Sequence, residues 1–175
     1  MTATEYVILV DENDREIGLA EKLEAHQQCL LHRAFSVFIW RQAAEVEILL
    51  QQRALDKYHS PGLWTNTCCS HPRKGESIIA AGQRRLREEM GIMAALEDIG
   101  SFHYTAHFDN GLSENELDHV LIGSVPMDTA FTVNPQEAHA FKWCTLNEIA
   151  AMLTANPNQF TPWFKQALGI AKQRI

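Results

Sequence analysis

Cys69 and His71 stand two residues apart, just ahead of a charge-rich run that ends in Glu88, Glu89 and Gly91. A thiol near cationic or metal-binding groups reaches the thiolate form readily. Read as a helix from Glu76 to Met90, the run places Ile79, Leu86 and Met90 on one apolar stripe, and Gly91 suits the residue that closes it. Glu89 then shares a neighbouring stripe with Arg85 and Gly82, so a carboxylate stands beside a guanidinium. Farther on, Glu114 and Glu116 alternate around one residue. If Ser113 to Asp118 is extended, both carboxylates leave the same face. Two like charges that close require a counter-ion or a shared proton. His26 and His32 lie six residues apart in a polar stretch. Spacing alone does not group these residues, and an ordinary surface or core position is the default for each histidine. His59, His103, His107, His119 and His139 keep that default.

The elements that would carry these groups are mostly strands. Tyr6 to Asp11 is a short apolar strand, DENDRE a turn, and Ile17 to Ala20 the return strand. Glu21 to Leu31 is polar and irregular. Ala34 to Trp40 and Val46 to Gln52 are β-rich runs around RQAAE, which reads as a hairpin. Arg53 to Pro61 is a loop, and Pro61-Gly62 signals a turn. Phe102 to Phe108 and Leu117 to Val125 form another strand pair, and Phe141 to Cys144 a last short strand. Thr145 and Glu148 make a capping box for a helix to about Leu153, which Asn156-Pro157 breaks. Thr161 as N-cap with Pro162 behind it opens a final helix to about Lys172. A mixed sheet flanked by helices is the simplest α+β architecture, in one compact domain over residues 1–175.

The stretch from Trp64 to Gly91, WTNTCCSHPRKGESIIAAGQRRLREEMG, resembles the Nudix box, with the box-like segment over residues 70–92. The box runs from a Gly through a Glu to Arg-Glu-apolar-x-Glu-Glu-x-Gly-apolar. Here the register gives Ser70, Glu76, Arg84, Arg85, Leu86, Glu88, Glu89, Gly91 and Ile92. Ser70 replaces the first Gly and Arg85 replaces a Glu. Exchanging a metal-collecting Glu for Arg implies a site that binds diphosphate through metal but no longer hydrolyses it. TNTCCSHP, the upstream SPGLWTN and the ENE at 114–116 resemble the type I isopentenyl-diphosphate isomerases, over roughly Tyr6 to Trp163.

That resemblance implies a set of roles. His26, His32, His71, Glu114 and Glu116 match ligands of a Zn- or Mn-type ion, a choice the mixed nitrogen and oxygen set favours. Glu89 and the main-chain carbonyl of Cys69 match ligands of Mg2+ that the substrate diphosphate completes, since Mg2+ needs few protein oxygens. Lys22, Arg53, Lys57 and Arg85 match the basic positions around the diphosphate. Cys69 and Glu116 match the acid and base that move a double bond through a tertiary carbocation. Glu116 must be protonated to act as the acid, while coordination opposes that, and the sequence leaves the conflict open. Tyr104 matches a hydroxyl that hydrogen-bonds the glutamate and helps pass the proton. Trp163 matches the aromatic face turned to the carbocation. Adjacent side chains on an extended loop diverge, so Cys68 and Cys69 cannot both face the substrate. Closure of the segment around His26, or of the last helix, would exclude water. Two other readings stand beside this one. One is a Nudix pyrophosphohydrolase of a nucleoside or other diphosphate, and the other a module that senses prenyl diphosphates without turnover. His103, Arg73, Lys74 and Cys68 carry no assigned role.

Composition sets the outer bounds. A net charge of −7, with 15 basic and 22 acidic residues, argues against nucleic acid as a partner. The first residues lack a basic n-region, and no apolar run reaches membrane-spanning length. Four cysteines, two of them adjacent, do not form a disulfide framework. A cytoplasmic monomer acting on a small prenyl diphosphate is the expectation.

Overall fold

The computed structural model describes residues 3–175. Its central strand is β3, His32–Gln42. Along one edge β3 runs parallel to β8, Ser113–Ser124, from His32 beside Glu116 to Trp40 beside Ser124. Along the other edge three segments follow in turn. β1 (Tyr6–Val10) meets it at His32, β6 (Cys68–Ser70) at Phe35 to Val37, and β4 (Val46–Arg53) at Trp40 to Gln42. β2 (Glu16–Glu21) pairs with β1, and β7 (Glu97–His107) pairs antiparallel with β8. β5 (Trp64–Thr65) and β9 (Ala138–Thr145) both pair with β4.

The sheet is buried on both faces, and strand alternation sorts its side chains between two cores. Phe38, Ile48, Leu50, Val120 and Ile122 pack against α4, Phe164–Ala171, and α3, Leu146–Ala155. Val37, Ile39, Leu49 and Leu121 pack against α2, Ile78–Met90. α2 comes so close that a Cβ on Gly82 would stand 2.5 Å from Leu121 Cδ1. Leu86 and Met90 are fully buried, while Ile79 lies at the edge of the same core. Ser77 caps α2, its hydroxyl accepting from the Ala80 N–H at 3.2 Å. Gly91 ends it with φ 67°, a left-handed conformation natural to glycine. A Cβ there would also stand 2.6 Å from the Thr132 carbonyl oxygen.

Both hairpins and the Thr145–Glu148 capping box form as the sequence predicts. Several local expectations do not hold: β8 begins at Ser113 rather than Leu117, and β9 at Ala138 rather than Phe141. The polar stretch after Glu21 contains a short helix, α1, Lys22–Gln27, held down by buried Ala25 and His26. A helix this short leaves little periodic signal, and its stability comes from packing. β7 begins at Glu97 rather than Phe102, because a register shift between Asp98 and Ser101 absorbs Gly100. Thr161 does not cap the last helix, which starts at Phe164 with Trp163 at the N-cap. The Thr161 hydroxyl is instead 2.8 Å from the Thr65 hydroxyl, a buried tertiary hydrogen bond. Among the described residues no helix is long and apolar enough to cross a membrane.

Candidate active site

The chemistry-bearing residues gather where β3 and β8 begin. In the parallel register His32 sits beside Glu116, and every second residue shares a face. That face carries His32 and Ser36 on β3, with Glu114, Glu116 and Asp118 on β8, before it turns apolar at Phe38 and Val120. One continuous face is therefore polar at its start and core at its end. β6 adds the thiol from the other edge. Cys69 pairs with Ser36 and lines the cavity, whereas Cys68 pairs with Val37 and is buried in the α2 core. The divergence of the two neighbours follows directly from the pleat.

Cys69, Glu116, Glu114, Trp163 and the four basic residues Lys22, Arg53, Lys57 and Arg85 all line one cavity. His71 and Glu89 line it too. His26, His32, His71 and Glu116 each bring a ligand atom within 4.8 Å of the others. The backbone fixes how two imidazoles face. His26 Nδ1 donates to the Lys22 carbonyl at 2.6 Å, and His32 Nδ1 to the Leu30 carbonyl at 2.8 Å. Each ring therefore presents a bare Nε2 lone pair, buried and without a hydrogen-bond partner. The same Glu116 oxygen lies 3.4 Å from His32 Nε2 and 3.1 Å from His71 Nε2. A lone pair and a carboxylate oxygen this close need a cation or a proton between them.

The titration behaviour fits such a centre. Burial pushes His71 down to about 3 and lowers His26, so both imidazoles are neutral. His32 is buried as well, but its Glu116 neighbour overrides that and raises it, so a proton competes with an ion for the His32 Nε2 lone pair. Burial would raise Glu116, yet His32 and His71 outweigh it and hold the carboxyl well below the usual range. Burial first, then the charge of Glu116, raises both Glu114 and Asp118.

Glu114 is not gathered with the other four. Its Oε1 lies 2.9 Å from His59 Nε2, and its ligand atom groups with those of His26 and His59. The hydrogen bond expected between the Tyr104 hydroxyl and Glu116 is also absent. Tyr104 lies directly across from Glu116, but that carboxylate is taken by His71 and the tyrosine hydroxyl is buried without a partner. The expectation of a readily formed thiolate is corrected too. Burial pushes the Cys69 thiol up to about 12, with Asp118 adding to the rise. The thiol is neutral and donates to Asn66 Oδ1 at 3.2 Å.

Three of the four basic residues that line the cavity are held in ion pairs. Lys22 meets Glu5 at 2.8 Å, Lys57 meets Glu137, and Arg85 meets Glu89 at 2.6 Å and Glu137 at 3.1 Å. Gln51 Nε2 donates to the second Glu89 oxygen at 3.0 Å. Among the described residues Arg53 makes no ion pair. Its guanidinium donates to the His59 carbonyl at 3.3 Å and lies 5.6 Å from the Trp163 ring. Several site residues escaped the sequence reading. Asp118 continues the alternation of Glu114 and Glu116 and was legible in that sense. Ser36, Gln51, Asn66 and Glu137 carried no local signal, and neither did His59.

A NUDIX domain model matches residues 30–164. The isopentenyl-diphosphate Delta-isomerase of Photobacterium profundum is 49% identical over 171 residues, covering 96% of this chain and 94% of that protein. The isopentenyl-diphosphate Delta-isomerase of Serratia proteamaculans is 49% identical over 160 residues, covering 91% of this chain and 87% of that protein. The crystal structure of DR0079 from Deinococcus radiodurans superposes with a TM-score of 0.71 over 95% of this chain and 99% of that one. At 18% identity that likeness speaks to the fold alone.

Proposed function

The chain belongs to the NUDIX family and, within it, to the isopentenyl-diphosphate Delta-isomerases, and on that premise we propose which of its residues carry the reaction. It is an isomerase that interconverts isopentenyl diphosphate and dimethylallyl diphosphate. The observation that supports the roles best is that Cys69 and Glu116 line the same cavity as Trp163 and the basic residues. The five-carbon chain lies between thiol and carboxyl, and the diphosphate lies toward Arg85, Lys57, Arg53 and Lys22.

The forward direction starts from the other tautomer, with the proton on Glu116 and Cys69 as thiolate, and Glu116 gives that proton to the terminal alkene carbon. The positive charge moves to the tertiary carbon, where the Trp163 face stabilises it by about 0.5–2 kcal/mol. The Cys69 sulfur then removes a proton from the carbon next to the diphosphate-bearing end, and the double bond closes there. Run in reverse, the thiol gives the proton and the carboxylate takes one. Thiol on 69 and carboxylate on 116, the state of the ligand-free chain, is the arrangement the reverse reaction starts from. Tyr104 meets Trp163 edge to face at 6.0 Å, and Trp163 lines the cavity.

His26, His32, His71 and Glu116, with Glu114 beside them, would hold a Mn2+ or Zn2+ ion. The bare, unpartnered Nε2 atoms of His26 and His32 support that fit. Glu89 and the Cys69 carbonyl would hold Mg2+ together with the diphosphate. Divalent ions there would supply positive charge to pin the diphosphate. Arg85, Lys57 and Lys22 must leave Glu89, Glu137 and Glu5 to reach the phosphates, so binding is an exchange of ion pairs. We read the chain as a cytoplasmic monomer without nucleic-acid or membrane partners, consistent with its four free cysteines.

The test is an NMR assay of isopentenyl diphosphate with the protein and Mg2+ in heavy water. Deuterium entering a new methyl group of dimethylallyl diphosphate is the expected result. Phosphate release without isomerisation, or binding without deuterium exchange, would overturn the reading.

A further inference from the structure

No step above uses His59, yet it is one of the most constrained side chains in the cavity. It is buried. Its ring stacks on Phe108 with centroids 5.0 Å apart and 17° between planes, and it meets Tyr58 edge-on at 4.6 Å. Nδ1 faces the Ser60 hydroxyl at 3.4 Å, and Ser60 itself has φ 51°. Few non-glycine residues adopt that left-handed conformation, so the turn is held by its surroundings. The remaining nitrogen, Nε2, lies 2.9 Å from Glu114 Oε1, a separation that donor and acceptor share.

The consequence falls on the other Glu114 oxygen. Oε2 is buried without a partner, as is His26 Nε2. One ligand atom each from His26, His59 and Glu114 lies within 4.8 Å of the other two. His26 has only that one lone pair to offer, because its Nδ1 is committed to the Lys22 carbonyl. It can serve a single ion, so Glu114 and the His32–His71–Glu116 group cannot each hold one of their own through it. His59 has both nitrogens engaged, by Glu114 and by Ser60. Its part is therefore to direct a ligand rather than to be one.

We propose that His59 is a positioning residue of the metal centre, holding Glu114 so that its free oxygen meets the ion bound by His26. The stacked ring fixes the direction of Nε2, and Nε2 fixes the carboxylate, as partners of metal-ligating groups do. This inference rests on the metal reading above.

The test uses purified full-length protein stripped with a chelator and titrated with Mn2+ against a competing chelator. His59→Phe keeps the packed ring but removes the donor, and is expected to weaken Mn2+ roughly 10- to 100-fold. His59→Gln, whose amide N–H can replace the donor, should stay within a few-fold of wild type. In a Glu114→Ala background His59→Phe should cost nothing further, because the effect runs through Glu114. Wild-type affinity in His59→Phe overturns the inference, as does an undiminished loss in the Glu114→Ala background. Should His59→Phe fail to fold in the metal-free state, a large loss in His59→Gln overturns it instead. Wild-type protein that takes up no Mn2+ overturns the metal reading and this one together, whereas equal binding by wild type and His59→Phe overturns only this one.

Discussion

Asn66 accepts a hydrogen bond from the Cys69 thiol at 3.2 Å. The same oxygen accepts from the Trp163 indole N–H at 3.2 Å, so one amide ties the sulfur to the aromatic wall of the cavity. Asn66 Nδ2 donates to the carbonyls of Val37 and Cys68, which fixes which way the amide faces. Asn66→Ala should cost about 1–3 kcal/mol of stability, the range for stranding buried backbone acceptors. It should also slow turnover by more than about 10-fold, since small displacements of reacting groups are expensive. Denaturant unfolding and steady-state assays would check both, and unchanged turnover would remove Asn66 from any positioning role.

Cys69→Ser and Glu116→Gln are each expected to abolish nearly all isomerisation while leaving the fold intact, as circular dichroism would show. Cys68→Ala is expected to stay active, because Cys68 faces the α2 core rather than the cavity. An inactive Cys68→Ala with normal unfolding would mean the roles of the two thiols were exchanged.

The buried thiol gives a pH prediction. An ordinary cysteine is about half thiolate near pH 8.5 to 9. With Cys69 pushed up to about 12, its thiolate fraction at pH 9 is about one in a thousand. Alkylation of Cys69 in metal-free Cys68→Ala protein should therefore stay slow through pH 9 and rise steeply above it. Mass spectrometry of the modified peptide reads this directly. Fast labelling at pH 8 would show that the folded chain stabilises the thiolate instead.

Chelation should abolish isomerisation, and Mg2+ with Mn2+ or Zn2+ should restore it. Ion binding should also stabilise the fold, by about 2.7 kcal/mol at 100 times the dissociation constant. A thermal melt with and without chelator checks this, and identical melts would argue that no ion binds to the folded chain.

Gly91→Ala should lower stability by at least about 1–2 kcal/mol, the cost of a left-handed conformation for an L-residue. The new Cβ would also meet the Thr132 backbone, which would have to shift. For a chain of this size that is a fall in melting temperature of at least about 2–4 °C. A melt as high as that of the wild type would mean the α2 terminus relaxes at no cost.

Local structure was legible wherever a pattern closes within a few residues. The amphipathic run into Gly91, the Thr145–Glu148 box and the strand pairs around RQAAE each carry their own period or cap, and the family motif fixed the box and its departures at Ser70 and Arg85. The same local reasoning missed α1 and misplaced the start of α4, because Ala25 and His26 are held by packing and Thr161 by Thr65. The site itself lies beyond any local pattern. His32 meets Glu116 only through the parallel register of β3 and β8, and Cys69 meets Ser36 only through β6 on the opposite edge of β3. Partners so far apart in the chain are joined by sheet register, which is set by the burial of both faces. Which nitrogen each histidine presents, that Glu114 turns to His59, and that the Cys69 thiol is neutral were decided by burial and hydrogen bonding in the folded chain, and neither exists before it folds.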